Sequence, residues 1–311
     1  ITLQNEVTVS TEAISVDKDV KIDLNSHTIT GNDTRVFHVK SGTLTLTGTG
    51  TVTSVKAEDG SLADNQSVIR VGDNDGSTDR KAALVVESNV TIEAPDTYGI
   101  SVFGSATKET VTIRGAVEAT GPAAAVSGNG SYDGTTISLE GAKISATCGV
   151  AIYHPQDGTM TIKKSTVGGG IEAKSGEITI ENSTISAVEG KKPSHDESGD
   201  GPSTSGYAIA IVDNAGYGSG AKLTVESGTV NGDVVYLEDG SGFAEEGKDG
   251  TIIINGGTFN GSVSAGESAA KDNIDIFGGS FPNASAEELE GMLGNNAVVV
   301  TFDANGGTCG E

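Results

Sequence analysis

Residues 20–31 decide the fold: Val-Lys-Ile-Asp-Leu-Asn-Ser-His-Thr-Ile-Thr-Gly. Apolar and polar residues alternate in the first half, an Asn-Ser pair interrupts, and a shorter alternation follows. Alternation with a period of two is typical of a β-strand with one buried side. The stretch therefore predicts two strands joined by a sharp corner, which belong either to a hairpin or to one edge of a wound coil.

The same motif recurs along the chain. Its base period is about 22 residues, and longer gaps follow Leu46 and Ile180. The last apolar residue before each corner serves as the anchor of each copy. The anchors are Leu24, Leu46, Val86, Ile113, Leu139, Ile162, Ile180, Val225, Ile254 and Ile276.

A third apolar run lies between successive motifs, as in residues 68–71, 98–103, 149–154, 207–212 and 233–238. Three strands and three corners in each period predict an all-β fold. We expect a right-handed, single-stranded parallel β-helix of roughly ten coils, because parallel crossovers are almost always right-handed. A tandem array of β-sandwiches is the alternative. Corner residues Asn25, Asn182 and Asn255 suit the left-handed conformation that sharp bends require.

Composition agrees with a thin core. There are 45 glycines, no tryptophan and few other aromatic residues among 311 residues. The formal net charge of −24 disfavours nucleic acid and anionic membrane surfaces as partners. No apolar stretch is long enough to insert into a membrane. Cys148 and Cys309 form neither a disulfide framework nor a zinc motif.

Three polar insertions interrupt the coils, at 56–66, 72–81 and 189–206. Loops of this kind leave a solenoid sideways and often frame its binding face.

The C-terminal region predicts one short helix at residues 283–293, where Ser285 is the N-cap and Glu288 completes a capping box. Leu289 and Leu293 are expected to share one face and to cover the open end of the solenoid. We therefore expect three regions. They are a parallel β-helix at 1–282, a capping helix and linker at 283–296, and the truncated first strand of a following repeat at 297–311.

Two stretches resemble known families. Residues 300–308, Val-Thr-Phe-Asp-Ala-Asn-Gly-Gly-Thr, resemble the opening strand of the internalin-type B-repeat of bacterial surface proteins. Residues 20–31 resemble the entry coil of pectate-lyase-like β-helix modules found in such proteins. The resemblance implies a secreted, modular protein at the bacterial cell surface or cell wall, cut from a longer chain just inside the next module.

Polygalacturonase and pectate-lyase motifs are absent from the sequence, although both enzyme families use this fold. Catalytic candidates remain in the third strand of two coils. His154 lies close to Asp157, which would suit general acid–base chemistry, and Asp213 follows a later third strand.

A calcium site is an alternative to an ordinary acidic loop at residues 73–79. Asp73, Asp75 and Asp79 fall at alternate positions around a glycine, and carboxylate oxygens are the ligands that Ca²⁺ prefers. No other cofactor is expected.

Five tyrosines fall on or near the third strand or its loops, where their rings would suit the apolar face of a sugar, although packing is the alternative role. They are Tyr98, Tyr153, Tyr207, Tyr217 and Tyr236.

These observations favour a non-catalytic extracellular module, a rigid acidic rod that serves adhesion by binding a glycan or a host surface protein. It is expected to be a monomer within a larger modular chain. A polysaccharide lyase or glycoside hydrolase acting on the third-strand face is the first alternative, and a structural spacer is the second. A groove lined by converging carboxylates and basic residues would indicate an enzyme.

Overall fold

The computed structural model describes residues 1–57, 66–73, 81–103, 109–129, 134–147, 150–196, 201–239, 249–266, 271–295 and 297. Within them, short strands follow one another with little helix. The first sixteen strands are β1 Val7–Val9, β2 Ile14–Val16, β3 Val20–Asp23, β4 Thr28–Asn32, β5 Phe37–Val39, β6 Gly42–Thr47, β7 Gly50–Val55, β8 Ser67–Val71, β9 Ala82–Val86, β10 Val90–Ala94, β11 Tyr98–Phe103, β12 Thr110–Ile113, β13 Ala116–Ala119, β14 Val126–Asn129, β15 Thr135–Glu140 and β16 Lys143–Ala146.

The remaining elements complete the coils and the C-terminal cap. They are β17 Ile152–His154, β18 Gly158–Lys163, β19 Thr166–Gly168, β20 Ile171–Ala173, β21 Glu177–Glu181, β22 Ser183–Ser186, β23 Ser194–His195, β24 Thr204–Ser205, β25 Ile209–Asp213, β26 Lys222–Val225, β27 Gly228–Asn231, β28 Val234–Glu238, β29 Thr251–Ile254, β30 Thr258–Phe259, β31 Val263–Ala265, a 3-10 turn Lys271–Asn273, β32 Ile274–Ile276 and α1 Ala286–Leu289.

Thirty of the 32 strands in the described residues form three parallel sheets of ten strands each, and β23 and β24 form a separate antiparallel pair. The first sheet has the order β3-β6-β9-β12-β15-β18-β21-β26-β29-β32, the second β1-β4-β7-β10-β13-β16-β19-β22-β27-β30, and the third β2-β5-β8-β11-β14-β17-β20-β25-β28-β31. Each strand therefore pairs with the coils before and after it, about 4.8 Å away. The predicted parallel β-helix of roughly ten coils is confirmed.

Inward side chains of the three sheets stack into one continuous apolar core. The anchors from Leu46 to Ile276 lie in register with one another along the first sheet. The first coil differs, because Ile22 and not Leu24 pairs with Leu46. Its corner contains one more residue than the next corner, so Leu24 is buried as an additional core side chain.

Corner conformations agree with the sequence prediction at two positions of three. Asn25 and Asn182 both have φ of 49°. Asn255 does not adopt positive φ, and Gly257 takes that role at φ 109°. A glycine in the corner removes the steric cost that made asparagine the expected choice.

The C-terminal helix is shorter than predicted. Ser285 and Glu288 form the expected capping box, but the helix ends at Leu289. Leu293 does not share its buried face. It forms an isolated parallel bridge with Ile276, at the end of the first sheet. The chain after the helix thus covers the last coil by adding backbone pairing as well as apolar contact.

Among the described residues, no helix has the length and apolarity needed to cross a membrane. The predicted continuation at 298–311, which includes the B-repeat resemblance and Cys309, lies outside the described residues. Cys148 lies outside them too.

Candidate functional site

The outer face of the third sheet carries a column of side chains, each next to an inward-facing core residue in the same strand. Because the strands are parallel and in register, these side chains lie one above another. The members of the column, one per strand from β5 to β20, are His38, Arg70, Ser101, Ser127, Tyr153 and Glu172.

A cavity of about 790 Å³ lies over the four middle members of this column, from Arg70 to Tyr153. One side is formed by strand residues of the third sheet, and the other by the segments around residues 201–202 and 214–217. The lining residues are Arg35, Gln66, Arg70, Tyr98, Ser101, Phe103, Ser127, Gly128, Asn129, Tyr153, Pro155, Gly201, Pro202, Asn214, Gly216 and Tyr217.

Two arginines occupy one end of the cavity. Arg70 stacks on the ring of Phe103, with 3.8 Å between the guanidinium carbon and the ring centroid. Its Nη2 lies 3.3 Å from Asp73 Oδ1, and its Nε donates to the Gly72 carbonyl oxygen at 3.3 Å. These contacts hold the Arg70 side chain in a single direction.

Arg35 is the second arginine, and its guanidinium group is hydrogen-bonded less completely than that of Arg70. Its Nε is buried and makes no hydrogen bond within the part of the chain that the structure describes. Burial lowers the pKa of Arg35, and the positive charge of Arg70 lowers it further, while Asp73 acts in the opposite direction. An incompletely satisfied guanidinium beside a second one is a site for an anionic group.

Three of the predicted tyrosines line the cavity. Tyr98 and Tyr153 pack together with Ala124 and Val150. The hydroxyls of Tyr153 and Tyr217 lie 2.9 Å apart, which joins the strand side of the cavity to the 214–217 segment. The structure thus brings Tyr98, Tyr153 and Tyr217 to one site.

The other two tyrosines lie elsewhere. Tyr207 packs against an apolar patch on the outer face of β25 and β28 and does not line the cavity. Tyr236 is fully buried in the core, where its hydroxyl donates to Asp213 Oδ2. Tyr236 was predicted to bind a ligand near the third-strand face, but the alternation in β28 points its ring into the core.

The three catalytic candidates do not face the cavity. His154 is fully buried, and neither ring nitrogen has a hydrogen-bond partner among the described residues. Burial lowers its pKa to about 4, against the opposing effect of Asp157. Asp157 accepts hydrogen bonds from Ser175 Oγ and Ser219 Oγ.

Asp213 is also buried, and both of its carboxylate oxygens lie 3.0 Å from the Gly250 amide nitrogen. Burial raises its pKa to about 6, while hydrogen bonds from Tyr236 and Gly250 act in the opposite direction. His154 and Asp213 were predicted as candidates for catalysis at the third-strand face, but both side chains lie in the interior.

The calcium prediction depends in part on Asp75 and Asp79, which lie outside the described residues. Asp73 Oδ1 contacts Arg70 and His38 Nε2, the latter at 3.2 Å. Within the described ranges, no group of three or more His, Cys, Asp or Glu side chains is placed to hold a metal ion.

A second group of side chains was not predicted from the sequence. We call it the covered cluster: Glu172, Lys174, His195 and Asp239. The hairpin β23–β24, part of the 189–206 insertion, contributes His195 and lies over Glu172. The side chains of Glu172 and Lys174 are inaccessible to solvent, and that of Asp239 is 2% exposed.

Arg35 and Arg70 were likewise missed. The signal in the sequence is a charged residue inside or beside an otherwise apolar third strand, as in Val68-Ile-Arg-Val71, where the apolar run alone predicts a strand and says nothing of the arginine. Lys174 and Glu172 carry the same signal at the end of β20. Comparison with family models, with curated proteins and with solved structures finds no match to this chain.

Proposed function

We propose that this protein is a non-catalytic extracellular surface module that binds an acidic glycan in the cavity over its third sheet. The observation that supports this most directly is Arg35, a half-buried guanidinium beside Arg70 whose Nε has no hydrogen-bond acceptor among the described residues. A carboxylate or sulfate on a sugar would satisfy it through charge-assisted hydrogen bonds.

The remaining lining suits a sugar. Tyr98, Tyr153 and Tyr217 offer amphipathic rings, and the amide side chains of the lining both donate and accept. These amides belong to Gln66, Asn129 and Asn214. Mixed aromatic and polar linings of this volume are typical of small-molecule sites.

The shape favours an oligosaccharide over a flat protein partner. Arg70 and Tyr153 are three strands apart in the third sheet, which is about 14 Å at about 4.8 Å per strand. The cavity therefore extends along the solenoid axis and is longer than one sugar ring.

The arginine end of the cavity is opposite in charge to the protein as a whole. The net charge of −24 repels an anionic ligand at a distance. At physiological ionic strength that repulsion is screened beyond about 8 Å, so contacts inside the cavity decide binding. Recognition is expected to depend on Arg35 and Arg70 rather than on the overall field.

Location and partners form part of the proposal. The resemblance of residues 300–308 and 20–31 to modules of bacterial surface proteins supports an extracellular position, at the cell surface or cell wall. There the cavity would meet free or host-attached acidic glycans.

Calorimetric titration with matched neutral and acidic oligosaccharides tests this function. We expect an acidic oligosaccharide to bind, and Arg35→Gln to weaken its binding at least about tenfold, the effect of losing one charge-assisted contact. Arg114→Gln is the matched control, because Arg114 pairs with Glu87 and Glu140 away from the cavity. Equal binding of neutral and acidic ligands, or equal losses in the two variants, would overturn the proposal. Binding of neither ligand would favour the spacer.

A polysaccharide lyase is the second candidate, and Arg35 is the observation that favours it. Burial and a neighbouring cation lower the pKa of Arg35, the direction in which a basic side chain is tuned to act as a general base. However, no Asp, Glu, His or Lys lines the cavity among the described residues. Incubation with polyuronides, followed by ultraviolet absorbance of unsaturated products, decides the matter. Turnover that Arg35→Gln abolishes would make the protein an enzyme.

A further inference from the structure

The covered cluster brings an amine and a carboxylate into direct contact away from water. Lys174 Nζ lies 2.9 Å from Asp239 Oδ2 and 3.8 Å from Glu172 Oε1. Ion pairs of similar length on the first sheet are partly exposed, whereas this one is enclosed. An isolated charge in such a place is costly, and pairing repays the cost only in part.

One side of the Lys174 side chain faces apolar residues. Lys174 follows Ala173, whose register partner is Ile211, so the next position on β25 is Val212. Val212 pairs with Leu237, and both belong to an apolar patch on the outer face. The ring of Tyr217 covers the amine, with its centroid 5.4 Å from Nζ. Solvation of an ammonium ion is therefore poor at this position.

Asp239 is held on its other side by hydrogen-bond donors. His195 Nε2 lies 2.5 Å from Oδ1, and Asn214 Nδ2 donates to Oδ2 at 3.1 Å. Ser203 Oγ donates to Oδ2 at 3.4 Å. These donors stabilise the carboxylate, so Cγ becomes a target for a nucleophile only when a proton reaches Oδ1, the oxygen that His195 contacts.

Glu172 is fixed beside the amine. Its carboxylate accepts hydrogen bonds from the Ser203 amide at 2.9 Å and from the Thr204 amide at 2.8 Å. The backbone of the insertion thus holds a carboxylate 3.8 Å from Nζ, an ion-pair distance that must shorten to about 3 Å for a proton to pass from the ammonium group.

We propose that Lys174 and Asp239 form an intramolecular isopeptide bond, with Glu172 and His195 transferring the protons. One proton passes from the ammonium group of Lys174 to Glu172, and the free amine attacks Cγ of Asp239 while protonated His195 donates to Oδ1. The tetrahedral carbon then expels Oδ1 as water, which receives the proton held by Glu172. The nitrogen passes its extra proton to His195. One N–C bond forms, one C–O bond breaks, and no oxidant or other reactant is required.

The reaction removes two opposite charges that are poorly solvated and leaves a neutral amide. Glu172 and His195 end in the protonation states in which they began, so the net charge of the covered cluster does not change. The bond would join the coil of β20 to the coil of β28 across the intervening strand β25. A covalent link over 65 residues would restrict unwinding of the solenoid beneath the 189–206 insertion.

Intact mass spectrometry of the purified protein tests the bond. The expected mass is that of the sequence less one water molecule, and peptide mapping should recover one branched peptide that joins Lys174 to Asp239. Lys163 and Glu181 serve as the internal control. They are 3.0 Å apart but half-exposed, so they should stay unlinked. A wild-type mass equal to that of the sequence would overturn the proposal outright.

Two variants distinguish formation of the bond from the role of Glu172 in forming it. Lys174→Arg should show the full sequence mass, because a guanidinium does not form this amide. Glu172→Gln should show mostly unlinked protein; complete linkage in this variant would overturn the role of Glu172. If either variant does not fold, the wild-type mass and the branched peptide still decide the proposal.

Discussion

Asp213 makes the stability of this protein fall as pH rises, and the effect is large enough to measure. Asp213 is the last residue of β25, and its carboxyl group is buried inside the solenoid. Burial raises its pKa to about 6 from an ordinary value of 3.8. At about 1.36 kcal/mol for each pH unit, this difference corresponds to about 3 kcal/mol.

The sign follows from proton binding. Between about pH 4 and the folded-state pKa of about 6, the folded protein binds more protons at Asp213 than the unfolded chain does, so the free energy of unfolding decreases with pH. Below that window the group is neutral in both states, and above it the loss is complete. Asp213→Asn removes this contribution, because the amide remains neutral and its oxygen still accepts from Gly250.

The assay is urea unfolding of the wild type and Asp213→Asn at several pH values from about 4 to about 8, which span the titration of both states. We expect the variant to gain about 3 kcal/mol relative to the wild type across this range, added to a constant offset from the altered contact with Tyr236. Asp275→Asn is the control, since Asp275 is exposed on β32. Parallel pH dependence of the wild type and Asp213→Asn would refute the reasoning.

Three further predictions concern the fold itself. Leu46→Ala should lower the free energy of unfolding, measured by urea titration, by about 2–5 kcal/mol, because it opens a cavity in a fully buried column of side chains. Thr45→Ala on the same strand is the control and should change this free energy by less than about 1 kcal/mol. Gly158→Ala should lower the thermal midpoint strongly, since φ is 153° and a Cβ would lie 2.3 Å from a backbone oxygen. Gly168→Ala, with open space at its Cβ, should leave the midpoint unchanged. Ser285→Ala should lower the stability of the C-terminal cap by about 1 kcal/mol, measured as faster hydrogen exchange in the last coil. Unchanged exchange there would contradict the capping role.

The architecture was predictable because coils repeat one local pattern. Alternation and corner residues recur with every coil, so the strand count and the parallel stacking follow from the spacing of anchors such as Leu46 and Ile276. Local pattern alone misplaced Leu24, since one additional corner residue shifts the register without disturbing the alternation.

The candidate site was predictable only in part. Tyr98, Tyr153 and Tyr217 were placed on the correct face, because strand alternation and loop position are local properties. Tyr236 and Asp213 were not, since the sequence does not reveal which side of a fully buried strand faces the core. In β25 and β28 both sides are buried, and the outward side chains form an apolar patch against which Tyr207 packs.

What the amino-acid sequence determined by itself is therefore the solenoid: strand, corner and repeat are encoded within each short segment. What only the tertiary structure decided is which distant side chains meet. Arg35 and Arg70 become neighbours of Tyr98 by stacking of coils, and Lys174 meets Asp239 across 65 residues of chain. Contacts of that kind depend on how many residues each coil contains. That number is set by all the intervening corners and insertions together, so no single stretch of sequence specifies which side chains meet.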